Sequence, residues 1–292
     1  MFKGSITALI TPFKNNKVDE DKFRDFIEWQ ISEGSRGFVP CGTTGESPTL
    51  NHQEHMRVTE ICIEVVKKRV PVMAGCGSNS TDEAISLVSH AQKAGAEAAL
   101  VVTPYYNKPT QEGLFQHFRH VAESTSLPIY IYNIPSRSVV DMDMKTLERL
   151  AKIENISGIK DASCDLERPG QVVDLIGKNF CQLSGEDETV LPFLEKGGVG
   201  CISVTANVAP KLCSELYEAW VKQDTKTLEE IDTGLQSLHK AMFCETSPGP
   251  VKFALSLLGH CSSDMRLPLV EIAEESKQIV KDAMIKAELI SK

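Results

Sequence analysis

Eight short apolar runs, rich in β-branched residues, recur along the chain, separated by segments whose apolar residues follow a helical period. They are Ile6 to Ile10, Gly37 to Val39, Val70 to Ala74, Ala98 to Val102, Pro128 to Tyr132, Ile156 to Lys160, Phe180 to Leu183 and Val199 to Val204. Each is apolar throughout instead of alternating, so each reads as a strand buried on both faces. Strands of that kind need both faces covered, and with the intervening helical segments this points to βα units around a parallel sheet.

The intervening segments carry helix signals of their own. After Asn51, the residues Val58, Ile61, Cys62, Val65 and Val66 form one apolar stripe. Asn51 with Glu54, and Ser80 with Glu83 ahead of Ala84, Leu87, Val88 and Ala91, resemble capping boxes. Gly34, Gly95 and Gly197 each fall at a helix end shortly before an apolar run, where a left-handed cap would turn the chain back. Eight evenly spaced strands without a Gly-rich dinucleotide fingerprint favour a closed barrel over a doubly wound sheet. The expected fold is a (β/α)8 TIM barrel over residues 1–222 with a C-terminal helical extension over 223–292. The extension is helical in pattern around Leu228 to Met242 and Val270 to Leu289, and reads as packing and assembly surface.

A chain of 292 residues is a little longer than the roughly 250 of one such barrel, and no linker-like stretch divides it. Its nine cysteines lack zinc-like or C-x-x-C spacing and read as reduced thiols, which suggests the cytoplasm. The N-terminal apolar run is too short for a signal sequence, and no segment approaches membrane-spanning length. A net charge of −9 speaks against nucleic-acid and membrane partners, so an anionic substrate would have to be held locally.

Catalytic groups of such a barrel sit at the carboxyl ends of the strands. The sixth run ends in Lys160, whose stem would lie among barrel side chains. A lysine amine attacks a carbonyl in its neutral form, which burial favours, although pairing with Asp161 is an equally ready explanation of a lysine there. The fifth run ends in Tyr132, a possible proton shuttle, and is followed by Arg137, suited to a carboxylate. A core tyrosine and a solvated arginine are the plainer readings. After the second run, Gly42-Thr43-Thr44-Gly45-Glu46-Ser47 offers hydroxyls and N–H groups to a small anion, or is an ordinary polar turn. The fourth run leads into Thr103-Pro104-Tyr105-Tyr106-Asn107, whose adjacent tyrosines suggest an interface. His52 with His55 and His117 with His120 lack a third ligand in sequence, so no metal is expected.

Taken in order, Gly42-Thr43-Thr44-Gly45-Glu46, Tyr132-Asn133-Ile134-Pro135 and Gly158-Ile159-Lys160 make the chain similar to the pyruvate-dependent class I aldolase superfamily. The likeness runs from Gly4-Ser5 to Arg266-Leu267-Pro268, with Thr103 to Asn107 and Pro135-Ser136-Arg137 its more specific parts. It implies a lyase that condenses pyruvate with L-aspartate 4-semialdehyde, the first committed step of diaminopimelate and lysine biosynthesis. Lys160 would hold pyruvate as a covalent imine and no cofactor would be needed. Tyr132, Thr43 and Tyr106 would relay protons, with Tyr106 reaching in from a neighbouring subunit. Thr44 would bind the pyruvate carboxylate, Arg137 that of the semialdehyde, and Gly185 and Ile202 would line the pocket through their backbone. A homotetramer built as a dimer of dimers is implied, as is a lysine effector site matching Ser47, His52, His55, Asn79, Glu83 and Tyr105, although Pro48 replaces a small residue common there. Two alternatives remain: an N-acetylneuraminate lyase or 2-keto-3-deoxy sugar acid aldolase, which generally lack an arginine at the place of Arg137, and a non-catalytic barrel that binds a keto acid.

Overall fold

In the computed structural model, which describes residues 2–291, eight parallel strands alternate with helices around one axis. The outermost residues of the two expected segments, Met1 and Lys292, lie outside the described residues. The strands are β1 (Gly4–Ala8), β2 (Phe38–Val39), β3 (Met73–Gly75), β4 (Ala98–Val102), β5 (Ile129–Asn133), β6 (Ile156–Asp161), β7 (Cys181–Ser184) and β8 (Gly200–Ser203). Strand β1 pairs with β8 through Gly4↔Gly200 and with β2 through Thr7↔Phe38. Between β2 and β3 the circle is joined by the Phe38↔Val72 bridge and the bond from the Gly75 N–H to the Pro40 carbonyl, 3.0 Å. The sheet is therefore a barrel, as expected, and not a doubly wound sheet.

Alternation along each strand divides the side chains between two cores. Ile6 and Ala8, Ala98 and Leu100, and Tyr130 and Tyr132 fill the barrel interior, whereas Ala99, Val101, Ile129 and Ile131 face the surrounding helices. The helices after the eight strands are α1 (Glu20–Ser32), α2 (His52–Val66), α3 (Thr81–Ala94), α4 (Gln111–Glu123), α5 (Met144–Leu150), α6 (Arg168–Leu175), α7 (Val190–Glu195) and α8 (Pro210–Lys222). A small hairpin, Phe13–Lys14 with Lys17–Val18, precedes α1. The expected stripe of α2 is buried throughout, and Asn51 and Glu54 form a complete capping box.

Several expectations need correction. The first strand is Gly4–Ala8 instead of Ile6 to Ile10, because the Ile10 N–H leaves the sheet for Asn207 Oδ1 at 3.1 Å. The third ladder starts at Met73 and not Val70, since Pro71 has no N–H to give. At the other end of the sheet, Val204 leaves β8 because its N–H goes to the Asp187 carboxylate at 2.8 Å. Ser80 caps α3 without a side-chain bond, and the reciprocal half of the box is missing too, since the Ser80 N–H donates to Ser78 Oγ at 3.0 Å and the Glu83 carboxylate is taken by Ser78 and His52. The three glycines stand as expected, with φ of +94° at Gly34, +96° at Gly95 and +109° at Gly197.

Beyond α8 the chain forms α9 (Thr225–Ala241), α10 (Gly249–Leu257) and α11 (Glu274–Lys286). Helix α10 lies between the two stretches expected to be helical, and Pro248 and Pro250 occupy its start, where a missing N–H costs no helical bond. Leu235, Leu238, Met242, Val251, Leu255, Val280 and Met284 share one apolar core with Leu9, Ile10, Phe13, Phe23 and Phe26. The extension is thus continuous with the barrel across the expected boundary at 222/223. Among the described residues, no helix is long and apolar enough to cross a membrane.

Candidate active site

Lys160 and Tyr132 are register partners on β6 and β5, and both point into the barrel mouth because they continue the inward parity of Gly158 and Tyr130. Lys160 is only 6% exposed, and its amine lies 4.1 Å from the centre of the Tyr132 ring. The lysine does not pair with Asp161. That carboxylate points behind the strand tip to Arg168, whose Nε donates to it at 2.8 Å. Arg168 also donates to the Met142 carbonyl at 3.0 Å, while Asn133 donates to Asp141 at 2.7 Å and accepts from the Met142 N–H at 3.1 Å. The residues next in chain to Tyr132 and Lys160 are therefore fixed by a polar network that is buried except at Asp141, and Lys160 takes no part in it.

Gly185 explains how the lysine stem fits. A Cβ at that position would stand 3.0 Å from Lys160 Cε and 2.7 Å from the Ala162 methyl. Facing this wall is the turn of residues 42–47, closed by N–H bonds from Gly45 and Ser47 to the Gly42 carbonyl and from Glu46 to that of Thr43. Thr44 is buried and Thr43 half-buried.

One cavity is lined by Thr43, Thr44, Tyr132, Arg137, Lys160 and Gly185 together. Arg137 reaches it from a short helix, Pro135–Ser138, which the proline after β5 starts. Two of the named residues are not on this wall, Tyr106 having been expected to serve a neighbouring subunit. Ile202 packs inside the barrel on β8, and Tyr106, at φ +72°, is 92% exposed and off the wall of its own chain's cavity. The wall also includes Glu186, Phe243 and Ser247, which sequence reasoning missed. Glu186 follows β7 directly, so the strand-end rule could have found it; nothing local marked the other two. Burial raises the Glu186 carboxyl above its usual range, with the charge of Lys160 opposing. The mouth thus offers an amine, a phenol, hydroxyls and a guanidinium around a small space, suited to imine chemistry on a compact anionic ketone.

A second polar cluster lies outside this cavity. His52 Nε2 and Glu83 Oε1 are 2.6 Å apart, Asn79 donates to the Tyr105 carbonyl at 3.2 Å, and Asn107 donates to the Asn79 carbonyl at 2.8 Å. Bonds from Ser78 and His52 hold the Glu83 carboxyl below its usual range. His55 is buried beside them, and burial pushes its imidazole down to about 4. Among the described residues, no hydrogen bond joins the Ser47 side chain to this cluster, and no group of three His, Cys, Asp or Glu could hold a metal ion. His117 instead meets Thr81 Oγ1 at 3.0 Å and His120 the Gln116 carbonyl at 2.7 Å. All nine cysteines are free.

The profile described as Dihydrodipicolinate synthetase family matches residues 1–287 of this chain. A 4-hydroxy-tetrahydrodipicolinate synthase of Rhodospirillum centenum is 58% identical over 291 residues, covering 100% of both chains. A crystal structure of dihydrodipicolinate synthase superposes with a TM-score of 0.96 at 47% identity, over 99% of this chain and 100% of that one. A synthase of this kind from Cyanidioschyzon merolae, solved with lysine bound, gives 0.96 at 36% identity over 99% of each chain.

Proposed function

This chain belongs to the dihydrodipicolinate synthetase family, and from that premise we propose that Lys160 carries its reaction by holding pyruvate as a covalent imine. The reaction itself is the condensation of pyruvate with L-aspartate 4-semialdehyde to 4-hydroxy-tetrahydrodipicolinate, a lyase-class step that opens diaminopimelate and lysine biosynthesis. The neutral amine of Lys160 adds to the pyruvate carbonyl, and water leaves as the imine forms. A proton is then lost from the methyl carbon, and the resulting enamine attacks the aldehyde. Attack of the substrate's own amine on the imine carbon closes the ring and expels Lys160.

Tyr132 and Thr43, with Tyr106 of a neighbouring subunit, move the protons; Thr44 takes the pyruvate carboxylate and Arg137 that of the semialdehyde. Gly185 shapes the pocket wall, while Ile202 packs in the barrel interior. The exposure of Tyr106 is what a residue lent to another subunit requires and supports the pairing of subunits, two such pairs making the homotetramer of the proposal. The His52–Glu83 cluster, with Ser47, His55, Asn79 and Tyr105, serves as a lysine effector site. Free cysteines and the lack of a membrane-crossing helix among the described residues support a cytoplasmic location. No step in this chemistry needs a metal or organic cofactor.

The single observation that carries the reading is the cavity that holds Lys160 against the Tyr132 ring with Arg137 at its rim. Initial rates with pyruvate plus aspartate semialdehyde, beside pyruvate plus N-acetylmannosamine, test it in the wild type and Arg137→Ala. Turnover of the semialdehyde alone, lost in the variant, is expected. Turnover of the sugar would remove Arg137 from its role, and borohydride reduction with pyruvate that leaves no adduct on Lys160 would remove the imine.

A further inference from the structure

Glu46 and Lys252 form an ion pair that water does not reach: both side chains are 0% exposed, with Nζ 2.6 Å from Oε1. Neither group lines the cavity. Every polar end is occupied, since the other carboxylate oxygen accepts the Arg266 N–H at 3.2 Å and the ammonium also donates to the Asp264 carbonyl at 2.6 Å. The Phe13 ring centre lies 4.1 Å from the same ammonium. Stability alone gives little reason for such a pair, because the desolvation of two charges largely cancels their attraction and an apolar pair of the same shape would serve as well.

What the pair does hold is a backbone. Glu46 has left-handed geometry, φ +54° and ψ +37°, two residues after Thr44. Its N–H donates to the Thr43 carbonyl at 3.1 Å and its own carbonyl accepts from the Thr49 N–H at 2.9 Å. A side chain fixed at both oxygens therefore fixes the turn that presents Thr43 and Thr44. On the other flank, the Thr11 hydroxyl donates to the Gly45 carbonyl at 2.7 Å. The grip comes from the extension, for Lys252 lies on α10, five residues past Ser247 on the cavity wall.

We infer that Glu46 and Lys252 are positioning residues of the reaction, a buried clamp by which the C-terminal extension sets the Thr43–Thr44 turn for the pyruvate carboxylate. The inference rests on the reading of Thr44 given above. It makes the extension part of the machinery instead of packing alone.

Borohydride trapping of pyruvate on Lys160 at graded pyruvate concentration tests it in the full-length protein. Glu46→Gln with Lys252→Met leaves no buried charge unpaired. This double variant is expected to need about tenfold more pyruvate for half-maximal trapping, with the KM for semialdehyde unmoved. In a Thr44→Ala background the same pair of changes should add less than about twofold, because residues that act through one another are not additive. Wild-type half-saturation in the folded double variant overturns the inference, as does a full penalty that persists without Thr44. If the double variant fails to fold, Glu46→Asp decides. It keeps both charges and shortens the clamp, so the same rise is expected and an unchanged half-saturation overturns the inference. Thr44→Ala alone separates the two readings: trapping at wild-type concentrations would sink the role of Thr44 and the clamp with it, whereas weakened trapping beside an unaffected clamp variant would sink the clamp only.

Discussion

Arg168 reaches the carboxylate of Asp161 with its Nε at 2.8 Å, immediately behind the strand tip that presents Lys160, and both side chains are less than a tenth exposed. Arg168→Ala would leave that carboxylate buried without its partner. A loss of roughly 3–5 kcal/mol in unfolding free energy is expected, measured by urea denaturation followed by circular dichroism. A variant as stable as the wild type would show that the network carries no such weight.

Gly185→Ala places a methyl 3.0 Å from Lys160 Cε and 3.1 Å from the Asp161 carbonyl, in a wall that cannot retreat without moving β6. The lysine amine should be displaced from its line of attack. We expect the rate of borohydride-trapped adduct formation at saturating pyruvate to fall about 10- to 100-fold, while the folded structure persists. Trapping at the wild-type rate would mean that Gly185 is not needed for the approach.

Acid should weaken the fold well before the carboxylates titrate. Burial pushes His55 and His117 from the ordinary 6.5 down to about 4, so below 6.5 the unfolded chain binds protons that the native one refuses. Their contribution is complete above pH 6.5 and is lost as the pH falls toward 4. The raised Glu186 carboxyl acts in the opposite sense near the acid end. Between pH 6.5 and 5 the expected loss is on the order of 2 kcal/mol per histidine, read from urea midpoints. His55→Gln with His117→Gln should flatten the decline; an undiminished slope would assign it to other groups.

Saturating lysine should slow the wild-type enzyme in a steady-state assay. Glu83→Ala should raise the lysine concentration for half-inhibition about tenfold or more, because Glu83 is held ionised by Ser78 and His52 and suits the ligand's ammonium. No response of the wild type to lysine would end the effector reading.

The barrel was legible because strands buried on both faces leave an uninterrupted apolar record, and the inward direction of Lys160 follows from parity with Gly158. Partner choice was not legible. Asp161 stands beside Lys160 in the chain yet serves Arg168, and Glu83 has the spacing of a cap yet serves His52, because loop paths decide which groups meet. The role of the extension was hidden for the same reason. Phe243 and Ser247 carry no local mark of a cavity wall, and α10 lies between the two stretches expected to be helical.

The clamp also sets an order of events during synthesis. Glu46 and Lys252 are 206 residues apart, so at about 5–20 residues per second a ribosome makes the lysine roughly 10 to 40 s after the glutamate. For most of that interval β1 also waits for β8, its partner in the Gly4↔Gly200 register. The turn that presents Thr43 and Thr44 is therefore made well before α10, the helix that anchors it, and gains that anchor only once Lys252 has followed.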